Sequence, residues 1–294
     1  MPKFSLEGRP LYYMDRGKGA AVVLLHSYLA NAFMWTPQIR ALEQHYRVIV
    51  PDLWGHGSSG ALPEGVDDLT ALTGHMRSLL DSLDLETFFV VGQSVGGMLA
   101  AELAFTAPER VDGLVLMGTY LGQEPATPQT YFLSLLDKVE ECGGFTPALI
   151  DEVTSLFFQS EEAGAVASLK ASFQKQLASW RGEVLQGSIV PIGRMIFKRR
   201  DLRCRLHELD AASTLVMCGE HDKVRPPSES LEMAQRIGCR YTEVPGASHT
   251  SNLEQPEFVT RALLDFLAQQ ALSVLEPDKA PAVDVTRDRS GPRS

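Results

Sequence analysis

Short runs of Val, Leu and Ile alternate along this chain with longer stretches of helical spacing, and few folds accommodate that rhythm. An apolar run of this kind is buried on both faces, so it belongs in a mostly parallel sheet with helices on either side. The predicted buried strands are Ala20 to His26, Tyr46 to Pro51, Thr87 to Gly92, Gly113 to Met117, Thr214 to Cys218 and Tyr241 to Val244. Ahead of them, Phe4 to Leu6 and Leu11 to Met14 flank Gly8-Arg9-Pro10 and read as an opening hairpin. Leu69, Leu72, Met76, Leu79, Leu80 and Leu83 share one helical face, a second helix is expected from Val95 to before Pro108, and a last one after Pro256. The fold class is α/β, a doubly wound and mostly parallel sheet.

Between Gly122 and Arg205 the alternation stops, and consecutive helical segments follow with no convincing strand. The expected organisation is a core in two parts, 1–121 and 206–272, with a helical lid inserted at 122–205. Pro277, Pro281 and Pro292 stand among mixed charges at the end, so 273–294 is expected to be a disordered tail with too few apolar groups to dock. At 294 residues the chain buries a sizeable core whether it forms one large domain or two small ones.

Charge narrows the partners. Lys and Arg number 27 against 37 Asp and Glu, and the net charge of −10 has the wrong sign for a phosphate backbone. Nucleic acid is not an expected partner. The opening Met-Pro-Lys-Phe-Ser-Leu-Glu holds no apolar run that could serve as a signal peptide, and no stretch is long enough for a membrane span, so a cytoplasmic location is expected. Cys142, Cys204, Cys218 and Cys239 are scattered without a CxxC pair, which suggests neither a zinc site nor a disulfide framework.

The chemistry centres on Gly92-Gln93-Ser94-Val95-Gly96, directly after Phe88-Phe89-Val90-Val91 and directly before an Ala/Leu-rich helix. A serine on so tight a strand-to-helix turn needs small residues two positions either side, and Gly92 and Gly96 supply them. Its hydroxyl is a poor nucleophile unless a base stands within reach and a third group orients that base. The candidate base is His249, in Pro245-Gly246-Ala247-Ser248-His249 between the last strand and the last helix. The candidate acid is Asp222, with Glu220 as the alternative, since both follow the strand that ends at Cys218. His56 in Gly55-His56-Gly57 reads as a turn and packing residue, and Lys198-Arg199-Arg200 with Arg203 and Arg205 reads as a solvated helix end or, secondarily, a site for an anionic substrate or an acidic carrier protein.

With these motifs, and with Leu24-Leu25-His26-Ser27-Tyr28, Pro51-Asp52-Leu53-Trp54-Gly55-His56-Gly57-Ser58-Ser59 and Ala107-Pro108-Glu109-Arg110-Val111, the chain resembles the α/β-hydrolase superfamily from about residue 9 to 268. In character it is similar to the small bacterial esterases, enol-lactonases and cofactor-free haloperoxidase-like members with a helical cap. The resemblance implies oxyanion donors at the backbone N–H groups of Val95 and Tyr28, although Ser27 stands where the family usually has glycine. It further implies a serine hydrolase that cleaves a small-molecule carboxylic ester or lactone through an acyl-enzyme, with no metal and no organic cofactor. Hydrolysis of a carbon–carbon bond in a diketone, perhydrolysis and a ligand-receptor role are the competing expectations, and oligomeric state is left open.

Overall fold

The computed structural model describes residues 2–158 and 165–275. Its strands are β1 (Lys3–Leu6), β2 (Arg9–Arg16), β3 (Ala21–Leu25), β4 (Arg47–Pro51), β5 (Phe88–Gln93), β6 (Val111–Met117), β7 (Thr214–Gly219) and β8 (Arg240–Val244). They form one sheet in the order β1-β2-β4-β3-β5-β6-β7-β8. The β1–β2 and β2–β4 pairs are antiparallel, and every pair from β4 to β8 is parallel. After β3 the chain steps to β4 on one side, and then to β5 on the other, so a crevice opens where the strand order reverses, at the carboxyl ends of β3 and β5.

Residue alternation within the strands feeds two separate cores. Val23, Leu25, Ile49, Val90, Leu114, Leu116 and Val216 face one side, against Leu72 and Met76 of α2 (Leu69–Ser82), Leu99 and Leu103 of α3 (Val95–Thr106), and Met233 of a later helix. Val22, Leu24, Val48, Val50, Val91, Val115, Met117 and Leu215 face the other, against Ile39 and Leu42 of α1 (Thr36–Leu42) and against Val259, Leu263 and Leu267 near the end of the chain. Helix α3 is buried along almost its whole length, and Gly97, Ala100, Ala101 and Ala104 let its backbone lie close to the sheet.

From β6 to β7 the chain runs through α4 (Ala126–Glu141), α5 (Pro147–Phe157), α6 (Ala165–Ser179), α7 (Gly182–Val184), a π-helical turn at Leu185–Ile189 and α8 (Val190–Phe197). The one extended pairing among the described residues of this stretch is an isolated bridge between Gly144 and Arg181. Polar contacts dock it on the sheet domain: Trp180 Nε1 donates to the Gly55 carbonyl at 3.2 Å, Tyr28 Oη to the Ile189 carbonyl at 2.7 Å, and the Leu62 amide to Ser188 Oγ at 2.9 Å. The fold closes with α9 (Pro227–Ile237), α10 (Ser251–Glu254) and α11 (Pro256–Leu275). Because the Ala-Leu-Ser-Val-Leu stretch continues α11 to Leu275, the helix passes the boundary expected at 272. The rest of the expected tail, 276–294, lies outside the described residues.

Candidate active site

Ser94 occupies the turn between β5 and α3 with φ 56° and ψ −119°, a conformation L-residues avoid at a cost of about 1–3 kcal/mol. The surrounding backbone holds it there. Its amide donates to the Met117 carbonyl at 2.8 Å, and its carbonyl accepts from Thr119 Oγ1 at 2.7 Å and from the Gly97 amide at 2.9 Å. A Cβ at Gly92 would overlap the Gly96 carbonyl, and one at Gly96 would overlap the Leu25 carbonyl, so both positions require glycine. Sharp turning thus delivers the hydroxyl to the carboxyl edge of the sheet, on the wall of a pocket.

Asp222 and His249 reach the same edge from the loops after β7 and β8. Both side chains are fully buried, and His249 Nδ1 stands 2.8 Å from Asp222 Oδ2. The other carboxylate oxygen, Oδ1, accepts from the amides of Val224 at 2.9 Å and Arg225 at 2.8 Å, which fixes the orientation of the group. An ionised carboxylate can only accept, so with Asp222 in that form the ring proton sits on Nδ1 and Nε2 is left as an acceptor. That Nε2 is buried and has no hydrogen-bond partner among the described residues. Gln93, beside Ser94 in sequence, donates from Nε2 to the His249 carbonyl at 2.5 Å, and the Phe157 ring meets the imidazole edge-on with 5.1 Å between centroids. Glu220, by contrast, is half-exposed and accepts from the Gly246 amide at 2.9 Å.

Val95 opens α3, where the first amides have no acceptor within the helix and lie at the positive end of its dipole. Tyr28 lies in the loop leaving β3, which two buried histidines fasten to the loop leaving β4. His26 donates from Nδ1 to the Ser27 carbonyl and accepts from the Leu53 amide, both at 2.8 Å. His56 donates from Nδ1 to the Trp54 carbonyl at 2.8 Å and accepts from the Leu29 amide at 3.2 Å. Ser27, in place of glycine, tucks its amide against Met34 Sδ at 3.4 Å, and the positive φ of the loop falls on Leu29 at 62°.

Burial lowers the pKa of His26 to about 4 and that of His56 to about 3. In the unfolded chain both would take up protons near the ordinary value of 6.5, so their contribution to stability is complete above about pH 6.5 and is lost as pH falls toward 4 and 3. Histidine ring NMR is expected to show these two imidazoles neutral, each with its proton on Nδ1, throughout pH 5 to 8. Titration of either ring near 6.5 would mean that the loop staple is open in solution.

The pocket that Ser94 opens on holds a cavity of about 60 Å³, with apolar walls that include Phe132, Leu136, Val139, Phe145, Phe157 and Ile196. Three charged residues also line it: Glu124, Arg199 and Arg225. Here the basic run departs from the solvated reading. Arg199 is buried, while Arg200 pairs with Glu102, Arg203 with Asp201 and Arg205 with Glu208 nearer the surface. Nothing in local spacing distinguishes a buried arginine from an exposed one, and the partner of Arg199 lies 75 positions away in sequence. Among the described residues no group of three or more His, Cys, Asp or Glu side chains is arranged to hold a metal ion, and no helix is long and apolar enough to cross a membrane.

A family model described as alpha/beta hydrolase fold matches residues 20–256. The chain is 30% identical over 275 residues to a 2-hydroxy-6-oxo-2,4-heptadienoate hydrolase of Pseudomonas putida, covering 87% of this chain and 92% of that one. Among solved structures it is similar to a thermophilic esterase from Thermogutta terrifontis, with TM-score 0.78, 26% identity and coverage of 91% and 97%. It is also similar to the enol-lactonase of Burkholderia xenovorans LB400, with TM-score 0.77, 27% identity and coverage of 91% and 100%.

Proposed function

Since the chain belongs to the α/β-hydrolase fold family, we propose that it is a serine hydrolase acting on a small-molecule carboxylic ester or lactone, with Ser94 as nucleophile, His249 as base and Asp222 as the orienting acid. The observation that carries this reading is the His249–Asp222 pair, which leaves Nε2 unpartnered at the same sheet edge as the strained Ser94 turn. Ser94 Oγ attacks the carbonyl carbon as Nε2 takes its proton, and negative charge collects on the carbonyl oxygen. The amides of Val95 and Tyr28 receive that charge without reorganising. Collapse of the tetrahedral adduct breaks the bond to the leaving oxygen, which takes the proton from His249 and leaves an acyl group on Ser94. Water, deprotonated by the same nitrogen, then releases the acid. The helices of 122–205 act as a lid that walls the acyl chain from solvent.

A second reading is supported by the likeness to the P. putida hydrolase, whose named substrate carries a ketone where an ester would stand. In it the same serine opens a carbon–carbon bond next to that ketone.

Rapid mixing with 4-nitrophenyl acetate tests the first reading. A burst of about one 4-nitrophenolate per active site, followed by steady turnover, is the expected result for an acyl-enzyme. Absence of both burst and turnover across a panel of esters and lactones, with turnover of a vinylogous diketone, would move the assignment to the second reading.

A further inference from the structure

We propose that Arg199 and Arg225 form an anion site in the pocket beside Ser94, so that the ester or lactone cleaved there also carries a carboxylate. This deepens the hydrolase reading and rests on it.

Three separate segments bring the charges together. Glu124 follows β6, Arg199 follows the C-terminal end of α8, and Arg225 lies in the loop after β7. The Glu124 side chain is wholly buried, with one oxygen 2.5 Å from Arg199 Nη1 and the other on Arg225 Nη2. Two guanidinium groups therefore bracket a single carboxylate, and the pocket lining keeps a surplus positive charge. Backbone carbonyls take up part of the donor set: Arg199 Nε donates to Tyr120 at 3.2 Å and Nη1 to Ile196 at 3.0 Å, while Arg225 Nε donates to Val224 at 2.6 Å. Arg199 Nη2 and Arg225 Nη1 are buried with no hydrogen bond.

A buried charged donor without a hydrogen bond is costly, and the pocket lining itself holds two arginines for one carboxylate. Glu229 does not remove the surplus. Its Oε2 forms an ion pair with Arg225 Nη1 at 3.5 Å without a hydrogen bond, and it lies outside the pocket lining, where the two arginines face Glu124 alone. A planar group with two oxygens is the ligand that two guanidinium groups in one pocket lining would take beside Glu124. The site is also tied to the catalytic groups, because Asp222 Oδ1 holds the Arg225 amide at 2.8 Å while Oδ2 faces His249.

The test compares wild-type kcat/KM for matched ester pairs in which a terminal carboxylate replaces a methyl group, on the acyl chain in one pair and on the alcohol in the other. At least about a tenfold advantage for the acidic member of one pair is expected, falling to near parity in Arg225→Met. The readout is the ratio within a pair, so a general loss of activity cancels. Where Arg225→Met leaves Glu124 unpaired and fails to fold, Glu124→Gln with Arg225→Met removes both charges together. In the wild type alone, pentanoate should inhibit neutral-ester hydrolysis at least about tenfold more tightly than pentanamide. No preference in either ester pair, or equal inhibition by acid and amide, overturns the anion site. If no ester is turned over at all, the hydrolase reading fails separately. In that event a larger rise in Tm with pentanoate than with pentanamide would still support the anion site, and equal shifts would reject it.

Discussion

Replacing Ser94 by alanine should lower ester turnover by about 10⁴-fold or more while leaving the protein folded. The hydroxyl supplies the bond-forming step in the proposed reaction, and nothing else at the turn can substitute for it. Folding should survive because the turn is held through the Ser94 backbone, by Met117, Thr119 and Gly97, and not through its side chain. Alanine meets the same penalty at φ 56° as serine does, so the strain is carried over without being enlarged. An alkyl fluorophosphonate should add one phosphonyl group to the wild-type protein, and peptide mass spectrometry should locate it on Ser94. Label on another residue, or turnover in the variant within about tenfold of wild type, would remove Ser94 from the chemistry.

The sheet was legible because burial on both faces writes itself into sequence as unbroken apolar runs. Each predicted strand overlaps an observed one with ends shifted by at most two residues, as with Gly113 to Met117 against Val111–Met117. The Ser94 turn was legible for a steric reason, since Gly92 and Gly96 have no room for a Cβ. His249 and Asp222 could be nominated from position alone, as loop residues past strand ends, but the choice between Asp222 and Glu220 could not be made that way. Two residues in one loop differ only in where the turn points them, and the turn is set by contacts with Gly246 and with the amides of Val224 and Arg225. Of the charged end of the pocket only Arg199 was legible, inside a basic run read secondarily as a site for an anionic substrate. Glu124 and Arg225 are 101 positions apart and belong to no motif, while Arg199 sits inside a basic run whose other arginines pair nearer the surface. Such a cluster exists only once β6, β7 and α8 are folded against one another.

For the acid, Asp222→Asn should lower kcat by about 10⁴-fold, and Glu220→Gln by less than about threefold. The asparagine oxygen can keep the Oδ1 role and accept from the Val224 and Arg225 amides, so the loop should hold its shape. Its amide nitrogen then takes the place of Oδ2 and presents hydrogens to His249 Nδ1, 2.8 Å away. That nitrogen must become an acceptor, so the ring proton moves to Nε2, and an imidazole protonated there cannot accept the proton of Ser94. Glutamine at 220 retains a carbonyl oxygen for the Gly246 amide and leaves the imidazole untouched. Histidine ring NMR provides a readout separate from rate: the His249 proton should sit on Nδ1 in the wild type and in Glu220→Gln, and on Nε2 in Asp222→Asn. A large loss in Glu220→Gln with a mild one in Asp222→Asn, both folded, would transfer the acid role to Glu220 and require the loop after β7 to rearrange during turnover.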